Sequence, residues 1–86
     1  MKDVVFHRRA FDQYSEWALS DRKLFRRIQR IIVESARDPF SGIGKPEPLR
    51  GNLSGFWSRR IDHDHRLVYQ ITESQIIIAS CKNHYP

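Results

Sequence analysis

One block rich in proline and glycine, residues 39–55, separates two stretches of this chain with different hydrophobic periods. Before it, apolar residues recur at helical spacing. After it, they alternate or run together as they do in strands. A chain of 86 residues that changes period once has few architectures open to it. A helical layer must pack on a sheet layer around one core. This places the chain in the α+β class, as one domain over residues 1–86.

Lys2 to His7 reads as a short strand around Val4-Val5-Phe6. Ala10, Phe11, Tyr14, Trp17 and Ala18 then form the apolar stripe of a first helix. Ser20 or Asp21 can cap a second helix, since a short side-chain oxygen accepts the free N–H groups of its first turn. In that helix Leu24, Ile28, Ile31 and Ile32 make the buried stripe, and Pro39 ends it near Asp38. Residues 39–55 read as a loop. Three strands follow: Phe56 to Ile61, Arg66 to Ile71, and Gln75 to Cys81. The run Ile76-Ile77-Ile78 is apolar on both faces and reads as a central strand. Hairpin turns fall at Asp62-His63-Asp64 and Thr72-Glu73-Ser74. The resulting order is β-α-α-β-β-β, an antiparallel sheet with both helices on one face and the other face open to a ligand.

Charge narrows the function. The net charge is +5, and of the 15 basic residues eleven are arginine and four lysine. Arginine forks onto phosphate and stacks on bases, so the bias favours a nucleic-acid partner. It also suits a solvated basic surface. Arg22, Arg26 and Arg30 repeat every four residues without acids at matching positions, a face suited to RNA. Cys81 is the only cysteine, so a disulfide framework within the chain is excluded. No apolar run approaches the length of a membrane span, and Met1-Lys2-Asp3 is charged too soon for a signal peptide. A cytoplasmic location is the expectation.

Metal-free cleavage of RNA needs a base for the ribose 2′-OH, cations for the phosphorane charge and an acid for the leaving 5′ oxygen. Glu47 lies between Pro46 and Pro48, which stiffen its backbone and favour an extended conformation. It suits the base, though an ordinary loop glutamate reads the same way. Arg60 and Arg66 can face each other across the Asp62-His63-Asp64 turn and hold a phosphate, or simply lie over the sheet edge. Arg59 points to the opposite side of its strand from Arg60. An imidazole is a residue type that can act as general acid, which suits His84, though a frayed tail reads the same way. Tyr85 can stack on a base, and Lys45 and Arg50 flank Glu47 where RNA phosphates would lie. His63-Asp64-His65 lacks further ligands at zinc spacing, and no cofactor or metal is expected.

The segments Gly44-Lys45-Pro46-Glu47-Pro48-Leu49, Asn52-Leu53-Ser54-Gly55-Phe56-Trp57-Ser58-Arg59-Arg60-Ile61, His65-Arg66-Leu67-Val68-Tyr69 and His84-Tyr85 together resemble the Txe/YoeB family of bacterial toxins, within the RelE superfamily. The resemblance spans the chain and is densest from residue 39 onward. It implies a RelE-like fold and a ribosome-dependent endoribonuclease, an mRNA interferase that cuts the codon in the ribosomal A site and stops translation. By matched position, it implies that Glu47 is the general base, His84 the general acid, and Arg66 the transition-state cation assisted by Arg60. It further implies that Tyr85 positions a nucleotide, that Lys45, Arg50 and Arg59 belong to the RNA-binding set, and that Arg22, Arg26 and Arg30 meet ribosomal RNA. The products would be a 2′,3′-cyclic or 3′-phosphate and a 5′-hydroxyl. The implied partners are a YefM-type antitoxin, the bacterial ribosome and mRNA, with a homodimer also open. Members of the family end at the tyrosine, whereas Pro86 follows it here. Two alternatives stand beside this reading: a ParE-like toxin that targets gyrase, and a catalytically inactive relative that only binds RNA or antitoxin.

Overall fold

A computed structural model describes residues 1–84. Its elements are β1 (Asp3–Phe6), α1 (Arg8–Ser20), α2 (Arg22–Arg37), β2 (Glu47–Pro48), a single 3-10 turn (Gly51–Leu53), β3 (Phe56–Arg60), β4 (Arg66–Ile71) and β5 (Gln75–Ser80). Asp21 separates the helices and caps the second, its carboxylate accepting the Leu24 N–H at 3.0 Å. Helix α2 stops at Arg37, with Asp38 as its C-cap and Pro39 immediately behind.

Both helices pack on one face of a five-stranded sheet ordered β1-β5-β4-β3-β2. Ile28, Ile31, Ile32 and Ala36 of α2 and Ala10 of α1 meet Leu67 and Tyr69 of β4 and Ile76 and Ile78 of β5. Each of these large aliphatic side chains contributes about 1.5–3 kcal/mol by leaving water. Phe11 departs from the expected α1 stripe. It is exposed and meets Phe6 edge-on, with ring centroids 6.2 Å apart. One residue from Ala10 is a 100° step around the helix, which carries Phe11 to the flank of the buried face.

Two features differ from the sequence expectation. The sheet is mixed, because β1 lies parallel to β5, pairing Val4 with Ile76 and Phe6 with Ile78. Hairpin turns fix the antiparallel run β3-β4-β5, but no turn links β1 to its neighbour. The helical crossover lets it join the far edge in the parallel sense. The proline-rich loop also contains a short strand: β2 pairs antiparallel with β3 at the opposite edge. Proline is tolerated there because an edge strand can leave one row of N–H positions unpaired. Strand β5 is internal, as its three isoleucines imply. Among the described residues, no helix is long and apolar enough to cross a membrane.

Candidate active site

The strand register sorts the site residues by face. Trp57, Arg59, Leu67 and Tyr69 point toward the helices and the 38–43 loop. Their neighbours point away. Glu47 pairs with Ser58, Ser58 with Val68, and Val68 with Ser80, which makes one row across four strands on the helix-free face. Two residues along, Arg60 pairs directly with Arg66 on the same face. A bulge between Val68 and Tyr69 in the β4–β5 ladder brings Ser80 into this row.

Glu47 is exposed and held by its strand. The Leu49 N–H donates to the Phe56 carbonyl at 2.9 Å, and the Arg60 N–H donates to the Gly44 carbonyl at 2.6 Å. These bonds fasten the segment on both sides of Glu47 to β3. Gly44 has φ +83°, and a Cβ there would stand 2.9 Å from the Arg60 carbonyl oxygen, so only glycine allows this approach. Lys45 is also left-handed, at φ 51°, and exposed. Arg50 is exposed beyond β2.

Arg60, Asp62, His63, Arg66 and His84 line a cleft of about 270 Å³. Glu47 lies on the same sheet face, diagonal to Arg60 and outside the lining of that cleft. A diagonal pair on neighbouring strands is separated by about 7–8 Å, close to the width of a nucleotide linkage. Arg66 is half-buried, and its Nε is buried without a hydrogen-bond partner. Ser58 and Ser80 likewise keep their hydroxyls buried and unpartnered beneath this face. The fold thus brings Arg60, Arg66 and His84 together and sets Glu47 beside them. The expectation for Tyr85 lies outside the described residues.

Arg59 is a correction. Expected among the RNA-binding residues, it is 0% exposed and faces the interior. Its Nε donates to the Tyr69 hydroxyl at 3.0 Å, and its terminal nitrogens donate to the carbonyls of Ile43 at 3.1 Å, Asp38 at 2.5 Å and Ser41 at 2.9 Å. The Tyr69 hydroxyl in turn donates to the Pro39 carbonyl at 2.8 Å. A buried guanidinium must satisfy its donors, and here the carbonyls of the 38–43 loop do so. Burial pushes the Tyr69 hydroxyl up from its ordinary value, with the Arg59 hydrogen bond opposing. The Ser41 hydroxyl and then the Phe40 N–H hold the Asp38 carboxyl below its ordinary value. Arg59 thereby ties down the loop that leads into Glu47. The alternation with Arg60 already put it on the other face.

On α2, Arg22, Arg26 and Arg30 are all exposed, and none forms an ion pair among the described residues. Arg22 and Arg26, with Phe25, Gln29 and Ala18, line a separate shallow cleft of about 290 Å³ on the helical layer. The imidazole of His65 is already engaged, its Nδ1 accepting the Asn83 N–H at 2.8 Å. Sequence reasoning weighed His65 only as a zinc ligand with His63 and Asp64, and passed over Asn83 and the contact between the two. A histidine adjoining Arg66 and an asparagine adjoining His84 were the signals available.

Two helices packed on one face of a five-stranded mixed sheet make the RelE-like fold of a class of small bacterial toxins. The chain belongs to the family described as the YoeB-like toxin of bacterial type II toxin–antitoxin systems, whose pattern it matches over residues 6–85. It is 54% identical over 82 residues to Toxin YoeB of Streptomyces coelicolor, covering 95% of this chain and 98% of that one. A YoeB dimer from Staphylococcus aureus superposes with a TM-score of 0.90 at 42% identity, covering 98% of each chain. The heterotetrameric YoeB-YefM toxin–antitoxin complex from the same organism contains a chain that superposes with a TM-score of 0.89 at 42% identity, with 99% of each covered.

Proposed function

We propose that this toxin is an endoribonuclease that acts on mRNA in the ribosomal A site. The observation that carries the reading is the placement of Glu47, Arg60 and Arg66 on one sheet face, with His84 lining the cleft of the arginine pair.

Glu47 removes the proton from the ribose 2′-OH. The 2′ oxygen attacks phosphorus, and Arg66, with Arg60, stabilises the added negative charge. His84, protonated, gives its proton to the departing 5′ oxygen. The products are a 2′,3′-cyclic phosphate and a 5′-hydroxyl. A positioned base or acid contributes about 10²–10⁴-fold, and a charge aimed at the transition state about 10²–10³-fold. Glu47 is exposed, so water competes for its carboxylate until a macromolecule covers the face. That supports a reaction which needs the ribosome to enclose mRNA against the toxin. Tyr85 positions a nucleotide, Lys45 and Arg50 meet RNA phosphates, and Arg22, Arg26 and Arg30 meet ribosomal RNA.

By analogy with the Staphylococcus aureus assemblies, a YefM-type antitoxin covers this toxin, and the free protein can pair with itself. The toxin acts in the cytoplasm, where ribosomes are. The test is cleavage of mRNA by purified toxin with and without bacterial ribosomes, mapped by primer extension. Cuts inside the A-site codon only with ribosomes are expected. Cuts on free RNA alone would make it a general ribonuclease. No cuts in either condition would favour the gyrase-directed or inactive alternatives.

A further inference from the structure

We infer that His65 is a positioning residue for His84, a role that rests on the proposed reading of His84 as the general acid. The chain between the end of β5 and His84 is held at every residue. The Cys81 N–H donates to Gln13 Oε1 at 2.7 Å, and the Cys81 carbonyl accepts from Trp17 Nε1 at 2.9 Å. Lys82 Nζ reaches Glu16 Oε1 at 3.6 Å. These contacts all come from α1.

Asn83 is gripped differently. Its N–H donates to His65 Nδ1 at 2.8 Å, and its carbonyl accepts the Arg66 N–H at 2.8 Å. Two consecutive residues of the chain therefore hold the two peptide groups flanking Asn83, and the second is the arginine assigned to the transition state. Asn83 has φ 63°, a left-handed conformation that asparagine adopts more readily than most residues. That turn aims both peptide groups back at the start of β4. His84 leaves the grip one bond later and enters the cleft beside Arg66.

The His65 ring has little freedom to respond. It stands edge-on to Trp17, with centroids 4.9 Å apart and planes at 78°. Its backbone N–H donates to the Asp62 carboxylate at 2.8 Å. Because Nδ1 accepts an amide proton, the ring must be neutral with its proton on Nε2. The clamp thus sets the spacing between the acid and the cation that must act on one phosphate. A misplacement of about 1 Å costs about 10²-fold in rate.

The experiment compares wild type, His65→Leu and His65→Asn as full chains in single-turnover cleavage on programmed ribosomes. Hydrogen exchange of the Asn83 amide is measured on all three proteins, and the His65 ring nitrogen shifts on the wild type. Asn offers an oxygen near the position of Nδ1, and Leu offers volume without an acceptor. His65→Leu should lose about 10²-fold in cleavage rate with ribosome affinity kept and with faster exchange at Asn83. His65→Asn should recover most of both. Wild-type rate in His65→Leu, or equal loss in both variants with Asn83 still protected, overturns the positioning role. A wild-type protein that cuts nothing overturns the proposed function, and the positioning role with it. Exchange and ring nitrogen shifts would still show whether the grip on Asn83 exists.

Discussion

Arg60 and Arg66 stand directly opposite each other across the β3–β4 ladder, and neither forms an ion pair among the described residues. Like charges opposed in this way cost about 0.2–1 kcal/mol. Such an arrangement is useful when an anion comes between them. Replacing Arg60 with Gln should therefore raise thermal stability slightly while slowing cleavage by tenfold or more. Inorganic phosphate should raise the melting temperature of the wild type more than chloride at equal ionic strength, and this difference should shrink in the variant. A melting curve in each salt checks both statements.

Glu47 is exposed on an edge strand, and no hydrogen bond of its carboxylate appears among the described residues. Glu47→Gln should leave stability within about 0.5 kcal/mol of wild type, as exposed substitutions do. Cleavage should fall by about 10²–10⁴-fold, because the amide cannot take the 2′-OH proton. Ribosome association should persist. A Gln variant that cuts at the wild-type rate would remove Glu47 from the role of base.

Much of this was legible in the sequence, for identifiable reasons. The ends of α2 follow from Asp21 and Pro39, whose local chemistry is strong. The Arg60–Arg66 pairing follows from a short turn joining two strands, since the turn sets the register. The parallel placement of β1 was not legible, because it depends on a contact between chain ends with no local signal. The fate of Arg59 was hidden for a similar reason. Its partners are carbonyls of a loop 16 to 21 residues earlier, and a charged side chain looks the same in sequence whether it meets water or backbone. The pairing of His65 with Asn83 was hidden because the two lie 18 residues apart, so His65 was weighed only against its neighbours His63 and Asp64.

Arg59 supplies the largest expected loss of stability. Arg59→Met keeps much of the side-chain length but removes the donor to the carbonyls of Asp38, Ser41 and Ile43 and the bond that the Tyr69 hydroxyl accepts. Each buried acceptor left without its donor costs about 1–3 kcal/mol. Arg59→Lys retains the charge yet cannot reach four acceptors from one nitrogen with three donors, so it should fall between the two. Denaturant unfolding gives the order wild type, Lys, Met. Enhanced proteolysis within residues 38–45 of either variant would locate the damage in the loop leading to Glu47.

The exposed arginines of α2 should matter for association rather than for chemistry. Replacing Arg22, Arg26 and Arg30 together with Gln should leave the single-turnover rate at saturating ribosomes near wild type and weaken binding. If each contacts a phosphate, the slope of log affinity against log salt should drop by about 0.7–0.9 per contact. Titrations at several salt concentrations measure this slope. An unchanged slope would mean that this face meets no nucleic acid.

Cys81 gives a prediction in pH. Its side chain is 0% exposed beside the Ala10 carbonyl, and burial pushes its thiol up to about 12 from an ordinary 9.0. The folded state therefore keeps a proton that the unfolded state releases sooner. This contribution is fully present below pH 9 and is lost as pH rises toward 12, at about 1.4 kcal/mol per pH unit. Tyr69, raised by burial, acts in the same direction, so the wild type alone would not isolate the thiol. Comparison with Cys81→Ala does: whatever stability advantage wild type holds at pH 8 should shrink between pH 9 and 11. Alkylation at pH 8 should be slow in the native protein and fast in urea, since the thiolate is the nucleophile and the folded state disfavours it. Rapid native alkylation would contradict the buried placement of Cys81, and with it the seating of the segment that leads to His84.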